Sequence, residues 1–196
     1  MQTIVAATSN RGKLKEFRQI FCNYTIVSMK EIGFDGDIDE PGESFMENAI
    51  IKARFICKKY NMIAMADDSG LCVDALDGAP GLYSARFSGV NGEHGDDESN
   101  NDLLLKLMEG KENRAAHYIS AMAIAKPDGS LFCFEGRTDG HILTERHGTN
   151  GFGYDPIFFS DELGKSFGEA TDEEKNAVSH RYRAMMGLKE KIRREV

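Results

Sequence analysis

Between Thr3 and Thr8 the chain is an unbroken apolar run, Ile4-Val5-Ala6-Ala7, and from Lys13 onward Leu14, Phe17, Ile20 and Phe21 recur at helical spacing. A short apolar run followed by a 3.6-residue period predicts a strand, a polar turn over residues 8–12 and a helix over residues 13–21. The helical period returns with Phe45, Ala49, Ala53 and Ile56. Ser44 with Glu47 three positions on makes a capping box, so a helix is predicted from Ser44 to about Tyr60. Residues 62–66 read as a short buried strand that ends at the acidic pair Asp67-Asp68. Gly78-Ala79-Pro80-Gly81 breaks the pattern, residues 89–101 are rich enough in Gly, Asp, Glu and Asn to predict an exposed loop, and residues 103–108 resume a helix. Strands over residues 118–125 and 131–134 flank Pro127-Asp128-Gly129-Ser130, whose Asp-Gly step signals a hairpin. Residues 156–159 are a further short strand. Thr171-Asp172-Glu173-Glu174 is a second capping box, and the helix after it is expected to run close to the last residue. Strands alternating with helices predict an α/β protein, and the hairpin requires antiparallel pairing, so the expected sheet is mixed.

Composition narrows this picture. At 196 residues and 41% hydrophobic content, the chain suits a single compact unit with one core, or two lobes sharing a sheet. Lys and Arg number 24 against 32 Asp and Glu, a formal charge of -8. That balance argues against a general nucleic-acid surface, which needs a basic stripe to displace counterions. An anionic ligand must therefore meet local positive charge. The opening residues have no basic n-region and are too few to span a bilayer, so a cytoplasmic protein without a membrane partner is expected. Cys22, Cys57, Cys72 and Cys133 sit among apolar neighbours with no CxxC pair, which reads as reduced thiols.

Five segments carry candidate chemistry. Thr8-Ser9-Asn10-Arg11-Gly12-Lys13 leaves a strand and enters a helix, where backbone N–H groups, the helix dipole and the Lys13 ammonium suit a phosphate; an ordinary helix start would look the same. Asp67-Asp68-Ser69-Gly70 places two carboxylates side by side, which repel unless a cation lies near, so a hard metal or a catalytic role is indicated. In extended chain the two point to opposite faces, so at most one need face the site. Asn48 and Lys52 share a helical face below Asp39 and Glu40. Gly151-Phe152-Gly153-Tyr154-Asp155-Pro156 offers glycines for close approach and an aromatic face for a base. Lys175 and Ser179-His180-Arg181, placed in the last predicted helix, supply donors for a phosphate or a purine edge.

Together these segments resemble the inosine triphosphate pyrophosphatases, which hydrolyse ITP, dITP and XTP. The resemblance rests on residues 8–13, Glu47-Asn48-Ala49 with Lys52-Ala53, Ala66-Asp67-Asp68-Ser69-Gly70, Gly78-Ala79-Pro80-Gly81 with Tyr83-Ser84-Ala85-Arg86, Gly151-Phe152-Gly153-Tyr154-Asp155, Lys175 and Ser179-His180-Arg181, in family order along nearly the whole chain. It implies one domain over residues 1–196, two lobes around a long twisted mixed β-sheet flanked by helices, a substrate cleft between the lobes, and a homodimer. By the same resemblance Thr8, Ser9, Asn10, Arg11, Gly12, Lys13 and Lys52 bind the triphosphate, and Ser69 contacts a phosphate. Asp68 is the catalytic base and, with Glu40, a Mg2+ ligand. Phe152, Gly153, Tyr154 and Asp155 form the base segment, while Lys175, His180 and Arg181 contact the purine or its phosphates. Ser9 stands where the family usually has glycine. A septum-inhibitor-like nucleotide pyrophosphatase with pyrimidine preference, or a non-catalytic nucleotide-binding regulator, are the alternatives.

Overall fold

The computed structural model describes residues 2–89 and 95–194. Seven strands form one sheet in the order β2-β1-β3-β4-β5-β6-β7. They are β1 (Thr3–Ala6), β2 (Thr25–Ser28), β3 (Ala64–Val73), β4 (Ala115–Ala125), β5 (Leu131–Ile142), β6 (Phe158–Ser160) and β7 (Lys165–Ser166). β1 pairs in parallel with β2 and β3, whereas β6 pairs antiparallel with β5 and β7, so the sheet is mixed as expected. The helices are α1 (Arg11–Ile20), α2 (Phe45–Tyr60), α3 (Asp97–Leu107), α4 (Asp172–Val178) and α5 (His180–Arg194). No helix among the described residues is long and apolar enough to cross a membrane.

The chain divides into two compact units. The first comprises Met1–Asp68, Ser120–Gly136 and Arg181–Val196. Its strands bury alternate residues on opposite faces, as a period of two requires. Ile4, Ala6, Met65, Met122 and Ile124 pack with Phe17 of α1, its C-cap Phe21, and Ala184, Met185 and Leu188 of α5. Val5, Ala7, Ala64, Ala66, Ala123 and Ala125 pack with Ala49, Ala53, Ile56 and Cys57 of α2. β3 therefore shows Met65 to α1 and α5, and Ala64 and Ala66 to α2. Continuing that alternation by one step decides where the two aspartates point.

The second unit comprises Ser69–Ile119 and Arg137–His180. Its core joins Leu71 and Val73 of β3, Leu104 and Met108 of α3, Tyr118, Ile142, Tyr154, Phe158 and Phe167. Tyr118 stands edge-on to Phe158 with centroids 4.7 Å apart and lies parallel to Phe167 at 6.1 Å. Such offset and edge-on contacts are the favoured aromatic geometries.

Four sequence expectations change. The strand expected over residues 62–66 begins at Ala64 and continues to Val73, so Asp67-Asp68 lies within β3 and not at its end. β5 runs eight residues past the predicted 134, because its inward positions Gly136, Thr138 and Gly140 are buried without being apolar. α3 starts at Asp97, capped by Asp96, inside the stretch read as loop; residues 90–94 of that stretch lie outside the described residues. The last helix is two helices, broken at Ser179, whose ψ of 149° is extended. The capping box at Thr171 is present in full. At α2 only half of it forms: Ser44 accepts from the Glu47 N–H, but the Glu47 carboxylate takes the Glu43 N–H instead of the N-cap's own. In the hairpin, Gly129 adopts φ 92° and its N–H reaches the Lys126 carbonyl at 3.0 Å.

Candidate active site

The loop after β1 caps its own helix. Asn10 is the N-cap of α1, and its side-chain oxygen accepts the Lys13 N–H at 3.0 Å. The Thr8 hydroxyl accepts the Asn10 N–H at 3.2 Å. One of the N–H groups expected to face a phosphate is thus already used by the cap. Ser9 is not among the residues with positive φ; among described non-glycine residues only Asn61 and Asp77 are. Serine in the usual glycine position therefore carries no left-handed strain here.

In the first unit the loop and helix α1 deliver Lys13 to the Asp67 face of β3. The Lys13 ammonium lies 3.1 Å from Asp67 Oδ1. Arg181 Nε donates to Asp67 Oδ2 at 3.1 Å, and the Ser120 hydroxyl reaches the same oxygen at 3.4 Å. Arg181 Nη1 in turn donates to Glu16. Ser120 lies two residues before Met122 on β4, so the same alternation aims it at this face. Burial opposes charge on Asp67, but Lys13 and Arg181 override it and hold the carboxyl far below the usual range. Burial also lowers the Lys13 ammonium from its ordinary value, with Asp67 opposing.

Asp68 points the other way, toward α2. Its Oδ2 accepts from Asn48 Nδ2 at 3.1 Å, and its Oδ1 lies 3.7 Å from Lys52 Nζ. Lys52 also binds Glu40 Oε1 at 2.8 Å. Asn48 accepts the Gly42 N–H at 2.8 Å, which ties the loop bearing Glu40 to α2. Burial raises the Asp68 carboxyl above its ordinary value, Lys52 and Lys13 oppose this, and the nearby Glu40 charge adds to the rise. Burial works against the Lys52 ammonium, yet Asp68 and Glu40 together leave it raised.

This second cluster sets two carboxylates against one ammonium and is short of positive charge. Among the described residues no group of three or more His, Cys, Asp or Glu is arranged to hold a metal. Two carboxylates do suit an ion such as Mg2+, which keeps waters and is often completed by substrate phosphates. The residues present fit that need.

In the second unit the aromatic loop is built around one buried pair. Asp155 Oδ2 accepts from the Phe152 N–H at 2.8 Å and from Lys175 Nζ at 2.6 Å. The Lys175 ammonium stands over the Phe152 ring, 4.6 Å from its centroid. Gly151 has φ 77°, and a Cβ there would sit 2.0 Å from Asp155 Oδ2, so only glycine fits. The Gly153 carbonyl accepts from Asn101 Nδ2 at 2.9 Å, and the Tyr154 hydroxyl donates to the Ser84 carbonyl at 2.8 Å. The His180 ring stacks on Tyr118 at 4.6 Å with the planes 9° apart. Ser69 follows Asp68 in β3 and begins this unit.

The structure thus brings Lys52, Glu40 and Asp68 together, gathers Phe152, Asp155 and Lys175, and splits the chain neighbours His180 and Arg181 between the two units. Arg181 is 2% exposed. Sequence reasoning missed Glu16 and Ser120. Glu16 lies three residues from Lys13 and so shares its side of α1, and Ser120 is the one serine in the apolar run of β4. Either signal points to a polar partner within the core.

A mixed seven-stranded sheet flanked by helices, with Lys13 and Lys52 set against Asp67 and Asp68 of β3, defines an α/β protein. The Ham1 family model matches residues 4–191. A dITP/XTP pyrophosphatase of Thermoanaerobacter sp. (strain X514) is 47% identical over 193 residues, covering 96% of each chain. Another from Staphylococcus epidermidis is 43% identical, covering 100% of this chain and 98% of its own. The solved structure of the Staphylococcus aureus Ham1 protein superposes with a TM-score of 0.88 at 38% identity over all of both chains. A HAM1 protein from Coxiella burnetii gives 0.88 at 34% identity, covering 99% of this chain and 100% of that one. The chain belongs to the Ham1 family.

Proposed function

We propose that this protein is a pyrophosphatase that hydrolyses the non-standard purine nucleotides dITP, ITP and XTP to the monophosphate and pyrophosphate, and so clears them from the nucleotide pool. The observation that carries the reading is the Asp68 cluster, a raised carboxyl beside Glu40 and under one shared lysine, on a chain 47% identical to a dITP/XTP pyrophosphatase.

Asp68 serves as the base that accepts the proton of the water attacking the α-phosphorus. A carboxyl pushed up by burial is better matched to that task than an ordinary one. Glu40 and Asp68 would hold Mg2+, which when bound supplies a more acidic water and offsets phosphate charge. Lys13 and Lys52 bind the triphosphate and stabilise the charge developing on the departing pyrophosphate. Thr8, Ser9, Asn10, Arg11 and Gly12 shape that grip, and Ser69 adds a hydroxyl.

The base stacks on Phe152 in a segment made by Gly153, Tyr154 and Asp155. Lys175 and Arg181 carry donors only, and His180 can turn a ring N–H to the same oxygen, which suits a 6-oxo purine better than a 6-amino one. A guanidinium carries five N–H donors, so service to Asp67 and Glu16 does not by itself preclude a purine oxygen. The working form is taken to be a cytoplasmic homodimer, about twice the chain's 21.8 kDa.

The test measures pyrophosphate release from ITP, dITP, XTP, GTP, ATP, dTTP and UTP with and without Mg2+. Release from ITP, dITP and XTP at least tenfold above GTP and ATP, abolished by chelation, is the expected result. Faster turnover of dTTP or UTP would favour the septum-inhibitor-like alternative, and binding without pyrophosphate release a regulator.

A further inference from the structure

We propose that Asp67 is a positioning residue for this reaction: it fixes the Lys13 ammonium where the triphosphate will lie, with Arg181 and Ser120 holding the carboxylate in place. The proposal rests on the reading of Lys13 as a phosphate ligand.

The Asp67 side chain has 0% exposure, so it is shielded from substrate and solvent. Its two oxygens are divided. Oδ1 serves Lys13, while Oδ2 serves Arg181 and Ser120. Lys13 is different: its side chain keeps 15% exposure, and it ends a flexible four-carbon stem. An ammonium has three donors, and the ion pair with Asp67 leaves donors for a phosphate. A contact of this kind orients the lysine without consuming it. The rotamer freedom that Lys13 would otherwise lose on meeting a phosphate is lost on folding instead, which favours binding.

The carboxylate is itself fixed from outside the site. Arg181 enters from the first turn of α5 and is anchored at its other end by Glu16, on the same helix as Lys13. Lys13 and Glu16 thus reach around opposite ends of one Asp67–Arg181 pair, so α1 is locked to β3 and α5 by both. The charges balance, two negative against two positive, so nothing in the cluster calls for a metal. This distinguishes Asp67 from Asp68, its neighbour in the motif.

The test is a double-mutant cycle on the full-length protein with Asp67→Asn, Lys13→Ala and the double variant, reading kcat/KM for ITP and the inhibition constant of IMP. Asp67→Asn is expected to lower kcat/KM tenfold or more. In the Lys13→Ala background the same change should cost less than twofold, because the residue it acts through is gone. Inhibition by IMP, which lacks the two outer phosphates, should stay within twofold. Equal losses in both backgrounds, or a parallel loss of IMP binding, would overturn the proposal. Should Asp67→Asn not fold, Ser120→Ala enters the same cycle with a two- to threefold effect expected, again absent without Lys13; an unchanged or an additive result counts against it. A wild-type protein that releases no pyrophosphate from any triphosphate would refute the proposed function itself, an outcome separable from additivity in an active enzyme.

Discussion

The two faces of β3 carry adjacent carboxylates in opposite electrostatic settings. On the α1 and α5 face, Asp67 and Glu16 are matched by Lys13 and Arg181, and the Asp67–Arg181 pair at its centre is closed to solvent. On the α2 face, Asp68 and Glu40 both pair with the Lys52 ammonium, and Lys13 acts on Asp68 more weakly. One face is neutral and the other keeps a net negative charge. The neutral cluster holds its carboxyl far below the ordinary value, and the unbalanced one leaves its carboxyl above it. A balanced buried cluster resists change when a ligand arrives, whereas an unbalanced one still has an attraction to satisfy. Period-two alternation sets Asp67 on the α1 and α5 face and Asp68 on the α2 face.

The largest expected effect is on turnover. Asp68→Asn keeps the shape of the side chain and removes the base, so kcat should fall about 10²- to 10⁴-fold. Its thermal midpoint should move by no more than a few degrees, because the variant relieves a charge excess. Pyrophosphate release and a melting curve check both. A large loss of stability would erase the contrast between the faces.

Asp67→Asn should show the reverse emphasis in stability. Removing one partner of a buried ion pair strands the other, at about 3–5 kcal/mol. At roughly 2–4 °C per kcal/mol for a chain of this size, the midpoint should drop by about 10 °C. A midpoint within two degrees of wild type would mean that Arg181 is satisfied without Asp67.

How much of this was legible in the sequence depends on whether partners are near in the chain. The α2 helix followed from Ser44, Glu47 and a 3.6 period, and Asn48 and Lys52 were correctly placed on one face because four residues is one turn. The Thr171 cap and the Asp-Gly hairpin were likewise local. The extent of β3 was not, since two carboxylates in mid-strand are tolerable only with cations from elsewhere, and Arg181 comes from 114 positions away. The Glu16–Arg181 bond spans 165 positions. The lower half of β5 was hidden for another reason: Gly140 is buried where any Cβ would meet the Phe159 carbonyl, so close packing, and not hydrophobicity, marks its inward face. At Ser179 the helical pattern continued in the residues while the backbone did not, so the split between His180 and Arg181 left no signal in the periodicity.

Next in size is Lys13→Ala. A charge-assisted contact to phosphate contributes about 1.5–3 kcal/mol, so kcat/KM for ITP should fall about 10- to 100-fold. This variant sharpens the comparison, because it removes the partly buried cation from the balanced face and shows what Asp67 does without it. Steady-state kinetics and a melting curve on the same preparation separate the two consequences. An unchanged kcat/KM would leave the whole Asp67 face structural.

The smallest effect belongs to Ser120→Ala. The hydroxyl reaches Asp67 Oδ2 at 3.4 Å, a long bond to an oxygen that also accepts from Arg181. Its loss leaves Oδ2 with the Arg181 donor and does not touch the Lys13 ion pair at Oδ1, so the cost should be that of one ordinary hydrogen bond, about 0.5–1.5 kcal/mol. That corresponds to a shift of about 1–6 °C in the melting midpoint. A shift as large as that of Asp67→Asn would mean that the cluster tolerates the loss of no donor. In that case its rigidity, and not its charge balance, would be what separates the two faces of β3.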